Sequence, residues 1–116
     1  MRKGAEMEEH VYWTWEADIQ PGKEEGFRAL AKKWDEIAAA DPDTLYSSWT
    51  ISEDSKSVRV DQRFVNAEAA MAQYHVNDCW GQLDDYLVPT QMVVCGHFKN
   101  ELDFLRGHGA IFRPPL

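Results

Sequence analysis

The side chains in this 116-residue sequence that invite a chemical reading are its aromatics and its histidines, five Trp and four His among them. The run Tyr74-His75-Val76-Asn77-Asp78-Cys79-Trp80 sets a phenol, an imidazole, a carboxamide and an indole close together. Neutral imidazole can take a proton from a bound hydroxyl near physiological pH, so His75 is the candidate general base. Its alternative is a satisfied or solvent-facing histidine. Residues 11–22, VYWTWEADIQPG, place Trp13 and Trp15 on one parity. Indole faces reward flat, apolar guests through stacking and area burial, so these two either wall a pocket or fill a core. Trp80 reads as a lid over such a pocket or as packing at a subunit contact. His97 shares parity with Gln91, Val93 and Cys95, and points either into a cavity or to a backbone carbonyl in the core. His10 and His108 stand near the domain's ends and carry no pattern.

Several chemistries have no motif. There is no HxH, HxxxH or HExxH spacing, and no metal site is expected. No Gly-rich phosphate loop and no GxSxG occurs, which argues against nucleotide cofactors and serine hydrolysis. The formal net charge of −8, from 20 acidic and 12 basic residues, disfavours nucleic acid and anionic lipid as partners. Neutral, aromatic ligands fit that balance better. No stretch approaches a membrane span, and the N-terminus lacks the apolar region of a secretory signal. Cys79 and Cys95, without a CxxC, read as free thiols of a cytoplasmic protein rather than as a disulfide.

The elements that must position these residues follow from periodicity. Val11 to Ile19 alternates as a strand and is stopped by Pro21-Gly22. Phe27, Leu30, Ala31, Trp34, Ile37 and Ala38 form an amphipathic helical stripe, with Glu24 and Glu25 in the first turn. TLYSSWTIS and VRVDQRFV alternate around a polar link and make an antiparallel hairpin, with Leu45, Trp49, Val58, Val60, Gln62 and Phe64 on the apolar side. Asn66 caps a second helix over AEAAMAQYHV. GQLDDYL is a further helical piece ending before Pro89. TQMVVCGHF is a fourth strand, apolar enough to be buried on both faces. NELDFLRGHG reads as a short helix capped by Asn100 and stopped at Gly107, and the tail AIFRPPL docks on the body.

The order is β-α-β-β-α-β with a C-terminal extension: a single α+β domain over residues 10–116, ferredoxin-like, with an antiparallel four-stranded sheet. Residues 1–9 read as a flexible N-terminal segment. Two helices cover one sheet face only. The other carries Glu16, Arg59, Asp61 and Arg63, able to pair across strands. Either that face is solvated, or two copies join through it as a homodimeric barrel.

With these elements in place, IQPGKEEGFRALAKKW, ADPDTLYSSWTISED, QRFVNAEAA and GHFKNELDFLRGHGAIFRPPL together resemble the antibiotic biosynthesis monooxygenase (ABM) superfamily over about residues 10–116. The resemblance implies a dimeric α+β barrel, a ligand cavity between the sheet and its helices, and cofactor-independent oxygenation of quinols. It brings Gln62 and Gln73 into view, because many such proteins carry Glu-Arg-Tyr at the end of the third strand and a His on the next helix. Here those positions read Gln62-Arg63-Phe64 and Gln73. His75 lies two residues beyond Gln73, about 200° around a helix, and does not simply replace it.

Three functions are therefore expected to compete. The first is a cofactor-independent monooxygenase acting on a quinol or polyphenol, with His75 as base, or a water held by Gln62 and Gln73. Trp13, Trp15, Trp49, Tyr74, Trp80 and His97 would line its cavity. The second is a non-catalytic small-molecule-binding or scaffold protein, and the third a haem-binding or haem-degrading protein using His75 or His97.

Overall fold

The computed structural model describes residues 9–98 and 100–116. Of the N-terminal segment expected at 1–9, all but Glu9 lies outside the described residues.

Strand β1 (Val11–Ile19) follows its alternation: Val11, Trp13, Trp15 and Ala17 are buried while Tyr12 and Asp18 are exposed. Helix α1 (Glu24–Ala40) buries Phe27, Leu30, Trp34 and Ala38, one stripe of its surface. Strands β2 (Thr44–Ile51) and β3 (Ser57–Phe64) form the expected hairpin. Helix α2 (Ala67–Val76) starts where Asn66 Oδ1 accepts from the Ala69 N–H at 2.8 Å. Its buried positions are Ala67, Ala69, Ala70 and Gln73, and the three alanines let its backbone approach the sheet closely. A short helix α3 (Cys79–Gln82) and a 3-10 turn (Leu83–Asp85) lead into β4 (Leu87–Gly96). A 3-10 run (Asn100–His108) and strand β5 (Ile111–Arg113) complete the chain.

The sheet order is β2-β3-β1-β4-β5. Its four long strands pair antiparallel, as the ferredoxin-like reading requires. β1 lies at the centre, where Trp13 faces Gln62 on one neighbour and Val94 on the other, and Trp15 faces Val60 and Met92.

Five details depart from the sequence reading. The tail does more than dock: β5 pairs parallel with β4, so the sheet has five strands and is mixed. The segment after β4 winds as a 3-10 run rather than an α-helix, and passes Gly107 to end before Gly109, whose φ of 82° breaks it. β4 begins at Leu87, not after Pro89. A register shift opposite Glu16 and Ala17 lets the strand run through a residue that has no N–H. Nor is β4 buried on both faces, because Val88 is 52% exposed and Gln91 lies in the open. Leu45, expected among the apolar side chains, is 46% exposed, since a second register shift between Thr44 and Tyr46 takes it out of the alternation.

The face away from the helices is polar and internally paired. Thr14 Oγ1 donates to Asp61 Oδ1 at 2.8 Å, Arg59 meets Asp61 at 3.1 Å, and the Arg63 guanidinium lies 4.4 Å from the centre of the Tyr12 ring. Of the charges anticipated to pair across strands, Arg59 and Asp61 do pair, but along one strand rather than between neighbours.

Gly96 ends β4 with φ of 94°, and a Cβ there would run into the backbone carbonyl oxygen of His10. That oxygen also accepts from the His97 N–H at 3.1 Å, so it cannot swing aside. Gly96→Ala should lower the unfolding free energy by about 2 kcal/mol. Gly107→Ala, where a Cβ meets nothing within 4 Å, should change it by less than about 0.5 kcal/mol. Urea denaturation of the two variants checks both values.

Candidate functional site

The site is made by a break in the chain after α2. Asn77, 2% exposed, closes that helix by donating its backbone N–H to Gln73 O at 2.9 Å. Its side-chain oxygen accepts from the Cys79 N–H at 3.0 Å and starts α3 in a new direction. The redirected helix carries Trp80 back over the sheet. There its ring centre lies 4.8 Å from Trp34, 4.9 Å from Tyr74, 5.8 Å from Trp15 and 6.1 Å from Trp13. With Trp49 against Trp34 at 5.2 Å and Trp15 at 6.1 Å, all five tryptophans of the chain form one cluster.

Beside this cluster lies a cleft of about 570 Å³, within the roughly 300–1,000 Å³ usual for small-molecule sites. Trp15 and Met92 line it from the sheet, Tyr74 and His75 from α2, Asn77 and Trp80 from the break, and Leu105 and His108 from the 3-10 run. Asp78 and Asp84 add carboxylates.

The structure thus brings together four of the residues expected from sequence: Trp15, Tyr74, His75 and Trp80. It places the others elsewhere. Trp13 is 1% exposed, packed on Phe64 at 4.7 Å, with its indole N–H donating to Gln62 Oε1 at 2.9 Å. Gln62 in turn donates to Ser47 Oγ at 3.1 Å. Gln73 donates to Asp41 Oδ2 at 2.7 Å. Both glutamines are buried and each donates within the protein, and neither lines the cleft, although Gln73 Oε1 has no partner among the described residues. Trp49 sits behind Trp15, against Phe27 and Trp34. His97 is exposed beyond the end of β4, near His10 and Arg63 and away from the tryptophans.

Sequence reasoning missed Met92, Leu105, Asp84 and His108. Met92 follows from register, since it is the β4 partner of Trp15, but that pairing is set across the sheet. His108 carries no local signal, and the 3-10 run delivers it to the cleft.

The cleft's chemistry is that of a half-dry aromatic wall with imidazoles. The His75 ring stacks on Phe104, with centres 5.4 Å apart and planes 26° from parallel, and meets Tyr74 edge-on. Burial, with a smaller contribution from the Asp84 carboxylate, pushes the Tyr74 phenol up from its ordinary value, so it stays protonated. Asp78 and Asp84 disfavour anionic guests. Among the described residues no group of three or more His, Cys, Asp or Glu side chains could hold a metal ion. No helix is long and apolar enough to cross a membrane among those residues.

No protein-family model and no curated protein matches the sequence. Solved structures do. MupZ from Pseudomonas fluorescens superposes with a TM-score of 0.77 at 18% identity, over 93% of this chain and 91% of that one. That coverage takes in part of the extension after β4, which residues up to Gly96 alone could not supply. SnoaB from Streptomyces nogalater, a cofactor-independent oxygenase, gives 0.64 at 10% identity over 74% of this chain and 90% of its own. A candidate antibiotic biosynthesis monooxygenase from Chloroflexus aurantiacus gives 0.61 at 13% identity, covering 73% and 89%. The chain has the α+β fold of the antibiotic biosynthesis monooxygenase proteins.

The buried Gln73 rests on Asp41. Burial raises that carboxyl, but hydrogen bonds from Thr44, the Asp43 N–H and Gln73 outweigh it and hold Asp41 below its ordinary value. A carboxyl depressed in the folded state contributes stability above its unfolded pKa and loses it as pH falls through the folded one. Acid titration of stability should therefore show a decline below the ordinary carboxylate range that is shallower in Asp41→Asn, measured by urea midpoints across that range.

Proposed function

We propose that the cleft binds a neutral, flat aromatic diol and oxygenates it with O2 directly, without a bound cofactor. The observation that carries this is that one cleft holds two indole walls, a protonated phenol and an imidazole. The fold is shared with a cofactor-independent oxygenase, which supports the reading.

In this scheme Trp15 supports the ring system in the cleft, and His75 takes the proton of a substrate hydroxyl. The resulting anion gives one electron to O2, and the radical and superoxide combine to form a C–O bond. The peroxide so formed recovers a proton from the imidazolium and loses water together with the ring C–H hydrogen, leaving a carbonyl. One O2 is consumed per substrate, with one oxygen retained and one released as water. The protein supplies positioning and a base, while O2 is the sole oxidant.

A second reading, ligand binding without turnover, is favoured by one observation: Gln62 and Gln73 are both engaged inside the protein. The pairing of two copies through the open sheet face is part of the proposal.

Naphthohydroquinone should be oxidised with stoichiometric O2 uptake, followed at an oxygen electrode against the uncatalysed rate. His75→Ala should slow it about 100-fold while binding persists. Product formed at the same rate without O2 would sink the oxygenase reading, and binding with no uptake would select the non-catalytic one. Sedimentation equilibrium should give twice the 13.4 kDa chain mass, and Arg63→Glu on the open face should shift it toward monomer.

A further inference from the structure

Trp80 occupies a contradictory position. Its ring is wedged among four aromatic rings at the centre of the cluster, yet the side chain is only half-buried and lines the cleft. Its indole N–H is buried without an acceptor among the described residues, and so are those of Trp34 and Trp49. Buried donors without partners are rare in folded proteins and unfavourable. Trp34 is wholly buried, so water cannot serve it from the surface. Trp80 stands on a short, four-residue helix started by two bonds to Asn77, the Cys79 N–H to its side-chain oxygen and the Trp80 N–H to its backbone carbonyl. A Cβ added at the next residue, Gly81, would meet nothing within 4 Å, so there is open space beside it.

We propose that Trp80 is a displaceable plug: a flat ligand carrying an oxygen acceptor expels its indole from the cluster, takes its place against Trp34 and Trp15, and accepts a hydrogen bond from the Trp34 N–H. Turned outward, Trp80 gains solvent for its own N–H. The incoming ring regains the stacking surface, and its oxygen gives a buried donor the partner it lacks. The chamber so uncovered has the depth of an indole and continues the existing cleft. It selects fused two-ring or larger phenols and quinones over single rings, which are too small to replace an indole. The proposal rests on the reading that the cleft takes aromatic ligands, but not on turnover.

The apparent affinity of a plugged site is reduced by the fraction of molecules in which it is open. Trp80→Ala should therefore bind naphthol at least ten-fold more tightly than the wild type in isothermal titration, and should also bind free indole. In that background Trp34→Phe should weaken naphthol but leave naphthalene, which has no oxygen, unchanged. In wild-type protein labelled with fluorotryptophan, the Trp80 resonance, assigned by its loss in Trp80→Phe, should gain a solvent isotope shift as naphthol saturates. Trp80→Leu, which removes the flat ring but keeps an apolar side chain, repeats the affinity test if the alanine variant does not fold. Equal affinity in wild type and variants, or a Trp80 resonance that stays shielded at saturation, overturns the plug. Binding with Trp80 expelled but no O2 uptake would leave the plug standing and sink only the oxygenase.

Discussion

Period-two alternation along β1 puts Trp13 and Trp15 on the same side of the sheet, and nothing else in the molecule can be arranged independently of that. Two indoles side by side on a central strand make a surface too large for aliphatic side chains alone to cover. Trp34 from α1, Trp49 from β2 and Trp80 from α3 close over it edge to face, the geometry that ring quadrupoles favour. Each such pair contributes roughly 0.5–1.5 kcal/mol beyond burial of area. The cluster therefore sets where α1 can lie and how far the chain after α2 must turn.

Packing indoles this densely has a polar consequence. An indole N–H needs an acceptor, and those of Trp34, Trp49 and Trp80 have none among the described residues, while Gln62 supplies one to Trp13. That solution uses the residue that might otherwise have faced a ligand, and Ser47 completes the chain. The Gln73 amide nitrogen likewise binds Asp41 at the junction between α1 and β2, while its oxygen has no partner among the described residues. Polar groups inside this domain thus serve its architecture on the β2 side, while the side toward β4 keeps its open volume and its imidazoles. The division explains how one interior can be both a core and a cleft.

The ends of elements place the functional groups. Asn77 ends one helix and begins the next, and without that turn Trp80 would leave along the axis of α2 rather than return to the sheet. The 3-10 run after β4 brings Leu105 and His108 to the same volume, and its Phe104 stacks on His75. β5 pins that run to the sheet edge: Phe112 packs on Phe98 at 4.7 Å, and Arg106 covers Phe112 at 4.0 Å. The C-terminal extension is thus one wall of the cleft.

Most of what could be read locally was read correctly, because it depends on neighbours in the chain. The alternation of β1 and β3, the stripe of α1, the Asn66 cap and the β-α-β-β-α-β order all follow from residues within a few positions of one another. The segment after β4 is the local exception, a 3-10 run that passes Gly107. The other failures came where long-range pairing intervened. Leu45 left its face and Pro89 entered a strand because register shifts arise between strands, not within one. The tail became a strand because β4 had a free edge. Tyr74, His75 and Trp80 were legible as candidates since they sit in one run. That Trp15 would join them while Gln62, Gln73 and His97 would not was decided in three dimensions: side-chain type announces what a residue can do, but only packing determines which partner has already claimed it.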